Sequence, residues 1–400
     1  MQIIIQKFGG TSVATSESRN KVVQKIKKAV ESGMMPVVVV SAMGRKGAPY
    51  ATDTLIEFVS ETAGEMSPHS SDMLLSCGEI ISAVTMTTLL EKEGLKAQAF
   101  TGGQAGIITD NYHQKADLLC AKPEGLLKAL EAGIIPVVAG FQGMTMDGNI
   151  TTLGRGGSDT SAAMLGVSLK ADCIEIYSDV DGIMTADPNV CDKAKIIPAI
   201  SYTEVFQMAD SGAKVIHPRA VEYAMRAGIP LVIKNTFSNE KGTYILQNVE
   251  SIVDREKQHH QVITSVAHRY HRTQFTIHHE PRLMDDLLGS IATAGISIDL
   301  INIFPNSKVF TIDQEDEKAL QALLEKQGYS YEILPNCAKV TVIGERMTGV
   351  PGVMARIVRA LNREQIDIYQ TADSLTTIAC LIQEQHVAKA IDVLHDEFHL

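Results

Sequence analysis

Short apolar runs separated by helical patterns fill the first 248 residues, and this alternation restricts the chain to few folds. The runs "QIIIQKF", "PVVVVSA", "PVVAGF", "CIEIYS" and "IPLVIKN" are strand-sized and rich in apolar residues, as strands buried on both faces are. Between the first two runs, Val22, Ile26 and Val30 recur at helical spacing. We therefore predict an α/β domain over residues 1–248, a mainly parallel sheet with helices on both faces.

The rest of the chain contains an internal repeat with an offset of 70 positions. Ile296 and Ile298 in one copy correspond to Ile366 and Ile368 in the other. A helical apolar face precedes each pair, formed by Leu283, Leu287 and Ile291 in the first copy and by Val353, Ile357 and Leu361 in the second. This pattern indicates two copies of a small β-α-β unit, with chance similarity between unrelated segments as the alternative.

These patterns also predict the domain boundaries. We expect a polar linker at 249–262, the first small domain at 263–335 and the second at 336–400. The stretch "VITSVAHR" could instead supply a strand to the second copy, so that the two copies exchange strands or are nested.

Charge and composition argue against nucleic acid and membranes as partners. The chain has 36 Lys and Arg against 47 Asp and Glu, a net charge of −11, which leaves no basic footprint. Its start lacks the basic region of a signal peptide, and no apolar run approaches the about 18 residues of a spanning helix. The cysteines are scattered, without Cys-x-x-Cys, so we expect free thiols in a reducing cytoplasm: Cys77, Cys120, Cys173, Cys191, Cys337 and Cys380.

A glycine turn follows the first strand, in "IQKFGGTS". Glycines at Gly9 and Gly10 let backbone amides approach an anion, and Lys7 supplies positive charge. Thr11 and Ser12 are candidates to cap the following helix. The pattern is not a Walker loop, and no Gly-x-Gly-x-x-Gly follows the strand, which argues against a nicotinamide-binding fold. Taken alone, the turn predicts either a phosphate site or an ordinary tight turn.

A second glycine cluster lies in "TTLGRGGSDTSAAMLG". Arg155 offers a planar fork suited to a carboxylate or a phosphate. Ser158 is a candidate N-cap that would leave backbone donors open at the start of a small-residue helix. The alternative is a glycine loop with a solvated arginine.

Three further stretches carry charged residues. "YSDVDGIMTADP" ends a strand with acidic turn residues but lacks the spacing of a calcium loop, so a solvated acidic turn is its alternative. Glu79, in "LSCGE", is by default a surface residue. "GAKVIHPRA" brings together Lys214, His217 and Arg219, and the position of His217 before a proline favours a structural role over a catalytic one.

Taken in order, "KFGGTS", "LSCGE", "TLGRGGSDTSA" and "SDVDGIMTADP" resemble the aspartate kinases of the amino-acid-kinase superfamily. The repeated C-terminal half resembles tandem ACT domains, which sense small molecules. The resemblance covers essentially the whole chain, and "GRKGAPYATD" with "CAKVTVIGERMTGVPG" resembles a monofunctional Gram-positive subgroup. It implies an amino-acid-kinase fold followed by two ferredoxin-like βαββαβ domains.

The family reaction implied by this resemblance is phosphoryl transfer from MgATP to the side-chain carboxylate of L-aspartate. The product, 4-phospho-L-aspartate, leads toward lysine, threonine, methionine and diaminopimelate. The nucleophile is already ionised at neutral pH, so no general base is required. Mg²⁺ is expected mostly on phosphate oxygens and water, without a dedicated protein site.

Site residues follow from the same resemblance. Glu79 would bind the ammonium of aspartate and Arg155 its α-carboxylate, with Gly156, Gly157 and Ser158 beside them. Lys7 and Lys214 would contact the phosphates, and Asp159 would hold the lysines rather than abstract a proton. The remaining ATP contacts would be Phe8, Gly9, Gly10, Ser41, Ser158, Ser178, Asp179, Thr185, Ala186, Asp187 and Pro188.

The regulatory half departs from the usual ACT pattern. The second copy keeps "GVPGVMARIV", whereas the first has the shorter "HEPRLMDDLL" without Pro-Gly. Asp299 and Asn302 are the candidate contacts for an amino-acid effector, which could be lysine, threonine or diaminopimelate, with weak feedback as an alternative. A combined lysine-plus-threonine mode is not expected to carry over unchanged. Because ACT sheets expose edges, we expect a homodimer or larger assembly through this half.

Two other functions compete with this interpretation. One is an acyl-phosphate-forming kinase for glutamate or N-acetylglutamate, against which the ACT pair and "KFGGTS" at the first strand argue. The other is an amino-acid sensor that has lost kinase activity. Retention of the charged set argues against a sensor: Lys7, Glu79, Arg155, Asp159 and Lys214.

Overall fold

The computed structural model describes residues 2–213, 216–249, 262–278, 286–345, 347 and 349–400. The described chain divides into two compact units. The first contains residues 2–183, 196–206 and 216–249, and the second contains 184–195, 207–213 and the described residues from 262 onward. Two short segments of the predicted domain 1–248 therefore belong to the second unit.

The first unit is built on two sheets. Its strands are β1 (Ile3–Phe8), β2 (Met35–Val40), β3 (Ala97–Phe100), β4 (Ile107–Thr109), β5 (Leu118–Ala121), β6 (Ile135–Ala139), β7 (Gln142–Met144), β8 (Ile150–Thr152), β9 (Cys173–Ser178), β10 (Ala199–Ser201), β11 (Leu231–Asn235) and β12 (Thr243–Leu246). The eight-stranded sheet has the order β10-β12-β11-β9-β1-β2-β6-β3, and only its β11–β12 pair is antiparallel. A four-stranded sheet has the order β5-β4-β7-β8. The mainly parallel sheet predicted from the apolar runs is confirmed.

Helices cover both faces of the large sheet. They are α1 (Gly10–Val13), α2 (Ser16–Glu31), α3 (Thr52–Ala63), α4 (Pro68–Lys92), α5 (Glu124–Glu131), α6 (Gly157–Leu169), α7 (Tyr202–Asp210) and α8 (Pro218–Ala227). On one face, apolar residues of α2 and α4 pack against Phe8 and Tyr177. On the other face, the close approach of α6 depends on Gly166, where an added Cβ would lie 2.6 Å from Ile174. Both faces of the central strands are thus buried, which explains their continuous apolar sequences.

The carboxyl ends of four neighbouring parallel strands meet at one edge of this sheet. In the order β9-β1-β2-β6, these ends are Ser178, Phe8, Val40 and Ala139. Ligands of open parallel sheets bind at this edge. The turns that follow β1, β2, β6 and β9 are therefore the natural place for a site.

The second unit has one six-stranded antiparallel sheet. Its strands are β13 (Ser265–His278), β14 (Asp299–Phe304), β15 (Ser307–Asp313), β16 (Ser330–Ile343), β17 (Gln370–Asp373) and β18 (Thr377–Gln383), in the order β14-β15-β13-β16-β18-β17. Its helices are α9 (Leu287–Thr293), α10 (Glu317–Gln327), α11 (Val353–Arg363) and α12 (Val387–Phe398). Each repeat contributes a strand, a helix, two further strands and a second helix, and Leu283 of the predicted first helix face lies outside the described residues.

Two long strands are shared between the repeats. The first part of β13, Ser265 to Arg269, pairs with Ile343 to Lys339 of β16, and its last part pairs with Tyr331 and its neighbours. The pairing is interrupted between Arg269 and Arg272. The predicted boundary between residues 335 and 336 falls inside β16. Each repeat therefore obtains its fourth strand from one part of a long strand, β13 or β16, whose other part belongs to the other repeat.

One described helix, α4, is long and apolar enough to cross a membrane by length and composition. Half of its apolar window is buried inside the protein. Asp72 and Glu79 also lie on it as buried residues. These features are those of a core helix in a folded domain.

Candidate active site

An ion pair joins β1 to the start of α6. The ammonium of Lys7 lies 2.6 Å from Oδ1 of Asp159, and the two side chains are only 11% and 15% exposed. Neighbouring side chains on a strand point to opposite faces of the sheet. Phe8 packs against α2, so Lys7 points to the other face, toward α6. An added Cβ at Gly9 would lie 3.7 Å from Nζ of Lys7, so the ammonium sits beside the glycine turn. The structure thus brings Lys7, Gly9 and Asp159 together.

Close backbone packing explains the second glycine of this turn. A Cβ at Gly10 would lie 2.8 Å from the carbonyl oxygen of Ala42, in the turn after β2. In this structure the amide of Gly9 donates to the carbonyl of Tyr177 at 3.1 Å, which ties the glycine turn to the end of β9. Thr11 and Ser12 lie inside α1 and do not cap it, since its N-cap is Gly9.

Glu79 reaches the same turn from α4. Its side chain is buried, and Oε1 accepts a hydrogen bond from the amide of Ala42 at 3.0 Å. Burial raises the pKa of this carboxyl group to about 8. A Cβ at Gly78 would lie 2.9 Å from that of Ala42, so the glycine allows the helix to approach the turn. The default interpretation of Glu79 as a surface residue is wrong. Ser41 is next to this contact, and its amide donates to the carbonyl of Phe8 at 3.1 Å.

The arginine loop precedes α6. Arg155 is exposed, and Gly156 is the N-cap with φ of 67°. The prediction that Ser158 caps α6 is therefore wrong; Ser158 lies buried in the first turn, close to Gly140. A Cβ at Gly156 would lie 2.2 Å from Cγ of His217, so the imidazole packs directly on this glycine. Burial lowers the pKa of His217.

The acidic turn after β9 is held by hydrogen bonds and an ion pair. Ser178 ends the strand, and Asp179 pairs with Arg45 at 2.9 Å. Asp181 accepts hydrogen bonds from Asn235 at 3.0 Å and Ser238 at 2.6 Å. Residues of the first unit therefore neutralise the charge of Asp179 and supply the hydrogen-bond donors for Asp181.

The "TADP" residues belong to the second unit. Oγ1 of Thr185 lies 2.9 Å from Nε2 of the buried His395, and Asp187 accepts from the amide of Asn189 at 2.9 Å. Ala186 is buried in the core of that unit, and Pro188 is exposed. Lys214 lies outside the described residues.

The two candidate effector residues are engaged within the chain. Oδ2 of Asp299 lies 2.5 Å from the ammonium of Lys339, and Oδ1 of Asn302 accepts from Gln370 at 2.6 Å. Burial alone would raise the pKa of Asp299, but its ion pair with Lys339 holds the pKa below its usual value.

Sequence reasoning missed two features of the first unit. Phe141, just after β6, has φ of 66°, which is rare for a bulky residue, and it packs on Gly157. Asp72 is fully buried on α4 and binds a loop beside the arginine turn. The flanking glycines in "AGFQG" were the available signal for Phe141, whereas Asp72 carried none.

Comparisons with known proteins agree over the whole chain. Residues 2–235 match the amino acid kinase family, and residues 332–396 match the ACT domain. The chain is 45% identical to aspartokinase 1 of Bacillus subtilis over 403 residues, with all of both chains covered. It is 36% identical to an aspartokinase of Geobacillus stearothermophilus, covering all of this chain and 98% of that one.

A solved structure extends this similarity to the fold. Escherichia coli aspartokinase III in complex with aspartate and ADP superposes with a TM-score of 0.78 at 25% identity, and both chains are covered completely. The same enzyme in complex with lysine and aspartate gives a TM-score of 0.77.

Proposed function

The chain belongs to the amino acid kinase family and, within it, to the aspartokinases, and on this premise we propose which residues carry out the phosphoryl transfer to aspartate. The observation that carries the proposal is the Lys7–Asp159 ion pair at the carboxyl end of β1, beside the glycine turn. The attacking carboxylate and the phosphates are all anions, so fixed cations and backbone donors must stabilise the transition state. Lys7 is the cation at this point, and Asp159 positions it.

Aspartate recognition is divided between Glu79 and Arg155. An arginine fork suits the α-carboxylate, and a carboxylate suits the ammonium. Glu79 is buried at the Ala42 turn, and Arg155 is exposed in the glycine loop. Gly156 and Gly157 carry no side chains into that loop, and Ser158 lies in the first turn of the helix that follows. Phe141, strained next to Gly157, is added to the residues that shape this end of the site.

The remaining predicted contacts are proposed for ATP. Lys7, Phe8, Gly9, Gly10, Ser41, Ser158, Ser178 and Asp179 lie in or next to the turns at the carboxyl ends of the central strands. Thr185, Ala186, Asp187, Pro188 and Lys214 stay in the proposal by resemblance. Mg²⁺ neutralises charge on the phosphates when ATP is bound. Because Asp159 and Asp179 are already paired with Lys7 and Arg45, we assign the metal to phosphate oxygens and water.

Regulation follows from the ACT domain. An amino-acid effector acts on this half of the chain, and we propose Asp299 and Asn302 as its contacts, with lysine, threonine and diaminopimelate as candidates. We also propose a homodimer through the exposed edge of the second unit, where Ile303 and Phe304 of β14 are 62% and 51% exposed. The six unpaired cysteines support a location in a reducing cytoplasm.

Two substitutions test the assignment of the site. Arg155→Ala should raise the KM for aspartate about 10- to 100-fold, the value of a charged hydrogen bond, and leave the KM for ATP nearly unchanged. Lys7→Ala should lower kcat by about 100-fold or more. Equal effects of Arg155→Ala on both substrates would remove its assignment, and near-normal turnover of Lys7→Ala would point to another cation.

Acceptor and effector are tested in one assay. Acyl phosphate is trapped with hydroxylamine after incubation with aspartate, glutamate or N-acetylglutamate. We expect product with aspartate alone, and repeating the assay with lysine, threonine or diaminopimelate identifies the inhibitor. Product with glutamate at a similar rate would contradict the specificity proposed for Glu79 and Arg155.

A further inference from the structure

A buried carboxylate lies on α4 two helical turns before Glu79. Asp72 is 0% exposed. Its oxygens accept from the amide of Gln114 at 3.0 and 3.1 Å and from Oγ1 of Thr152 at 2.5 Å, and Oδ2 lies 2.7 Å from Nδ1 of His113. Burying a carboxylate is costly unless its oxygens are well hydrogen-bonded. Three of these contacts go to one loop and the fourth goes to the end of β8, so Asp72 ties the loop and the strand end to the helix.

The loop that contains His113 and Gln114 joins β4 to β5. Gln114 adopts φ of 69°, an unfavourable conformation for a residue with a side chain, and its amide is aimed at Asp72. The amide of Ala116 donates to the carbonyl of Thr152 at 2.9 Å. The loop is therefore held from two sides, by Asp72 on α4 and by the end of β8.

The arginine turn packs against this loop. Gly154 has φ of 73°, and an added Cβ there would lie 3.3 Å from the carbonyl oxygen of Gln114. Thr152, which donates to Asp72, is the last residue of β8, and Arg155 follows it three residues later. Movement of the Gln114 loop or of Thr152 would therefore move the turn that carries Arg155.

We propose that Asp72, with His113 and Thr152, is a positioning cluster for Arg155 and thereby for the α-carboxylate of the amino-acid substrate. This inference rests on the proposed function, in which Arg155 binds that carboxylate. Asp72 and Glu79 are seven residues apart, so they lie on the same face of α4. Helix α4 thus carries Glu79, the partner of the substrate ammonium, and positions Arg155, the partner of the α-carboxylate, through Asp72. The helix therefore fixes the distance between Glu79 and Arg155.

Thr152→Val is the least disruptive test, because the two side chains have nearly the same shape and Thr152 is buried. We expect the KM for aspartate to rise about tenfold, as small misplacements at a site do, with the KM for ATP changed less than about twofold. Asp72→Asn should act in the same direction. His113→Leu should also raise the KM for aspartate, and His113→Asn should restore it because the amide keeps a donor near the position of Nδ1.

Two further variants separate positioning from general destabilisation. Glu204→Gln alters another buried carboxylate, which accepts from Ser201 at the start of α7, and it should lower the melting temperature without changing the KM for aspartate. In an Arg155→Ala background, Thr152→Val should have no further effect on that KM, because the two residues would act through one contact.

The outcomes separate this inference from the proposed function. If Arg155→Ala raises the KM for aspartate while Thr152→Val and Asp72→Asn leave it unchanged, the positioning role is overturned and the proposed function stands. Additive effects of Thr152→Val and Arg155→Ala would also overturn it. If Arg155→Ala itself leaves the KM unchanged, the assignment of Arg155 fails and the inference fails with it.

Discussion

At the scale of a single residue, the proposed contact of Glu79 with the substrate ammonium predicts a pH dependence of aspartate binding. Burial raises the pKa of its carboxyl group to about 8, so at pH 7 the free protein carries it mostly protonated. An arriving ammonium favours the ionised form. Aspartate binding should therefore release a proton, and affinity should increase with pH from about 6 to about 8, by up to about tenfold for each unit.

Calorimetry checks this prediction for Glu79. The binding enthalpy of aspartate is measured at pH 7 in two buffers of different ionisation enthalpy. Because the buffer takes up the released proton, the two enthalpies should differ by nearly the full difference between the two buffer ionisation enthalpies. Glu79→Gln serves as the control, because it keeps the size of the side chain but has no proton to release. Equal enthalpies in both buffers for the unmodified protein would contradict the assignment.

A second prediction at this scale concerns Gly156. Gly156→Ala should place a methyl group 2.2 Å from Cγ of His217 and also strain a residue at φ of 67°. We expect a loss of stability of at least about 1–2 kcal/mol from the backbone alone, and at least a tenfold rise in the KM for aspartate as the arginine turn shifts.

The chain offers a matched control for this substitution. Gly148 has φ of 89° with no atom near an added Cβ, so Gly148→Ala carries the backbone strain without the clash. Thermal denaturation and the KM for aspartate are compared for the two variants. A rise in KM shared by both would show that strain in the fold, rather than contact with His217, disturbs the site.

At the scale of secondary-structure elements, a charged network connects β1, β9 and β11 under the glycine turn. Glu175 accepts from Gln6 at 2.8 Å and from Tyr177 at 3.0 Å, and it pairs with Lys234. Tyr177 in turn stacks on Phe8, with ring centroids 4.7 Å apart. The network lies on the face of the sheet opposite Lys7, so it supports the turn without entering the site.

Removing one partner of this network should destabilise the sheet. Lys234→Met leaves the buried Glu175 without its cation, and we expect a loss of about 3 kcal/mol, the lower end for a buried pair because Lys234 is 22% exposed. The double variant Glu175→Gln with Lys234→Met should recover much of this loss. Urea denaturation measures both, and a single variant as stable as the parent would mean that the pair contributes little.

The elements of the first unit were accessible from sequence because burial leaves a simple pattern there. Val37 to Val40 are buried on both faces, and their unbroken apolar run predicted the strand. The start of α6 was not accessible, because Ser158 looks like an N-cap while the chain turns at Gly156 through a positive φ. The packing of His217 on Gly156 and of Ser158 beside Gly140 accompanies the N-cap at Gly156 rather than at Ser158, and these contacts involve residues distant in sequence.

The chemistry of the site was harder to predict than its location. Ordered motifs placed Lys7, Arg155 and Asp159 near one edge of the sheet, and the structure brings Lys7 and Asp159 into contact. The burial of Glu79 and Asp72 depends on α4 being enclosed by β8, β6 and the Ala42 turn, which involves residues far away in sequence. A local sequence pattern therefore does not predict such contacts.

At the scale of the whole molecule, the two units are interleaved in sequence. The segment 184–195 lies between two stretches of the first unit, yet Ala186 and Cys191 belong to the apolar core that contains Val266 and Ile391. A chain cut at residue 248 would lose the core into which this segment packs. A single cut in the sequence therefore does not separate the two units.

The regulatory unit gives a last prediction, on feedback inhibition of the complete enzyme. If Asp299 contacts an effector ammonium, the effector must compete with Lys339, whose own ammonium is 2.5 Å from that carboxylate. Lys339→Met removes the competitor and leaves Asp299 charged. The concentration of lysine or diaminopimelate that halves activity should then fall several-fold, on the order of one charged hydrogen bond. Asp299→Asn should raise that concentration, and inhibition that is unaltered in both variants would place the effector elsewhere.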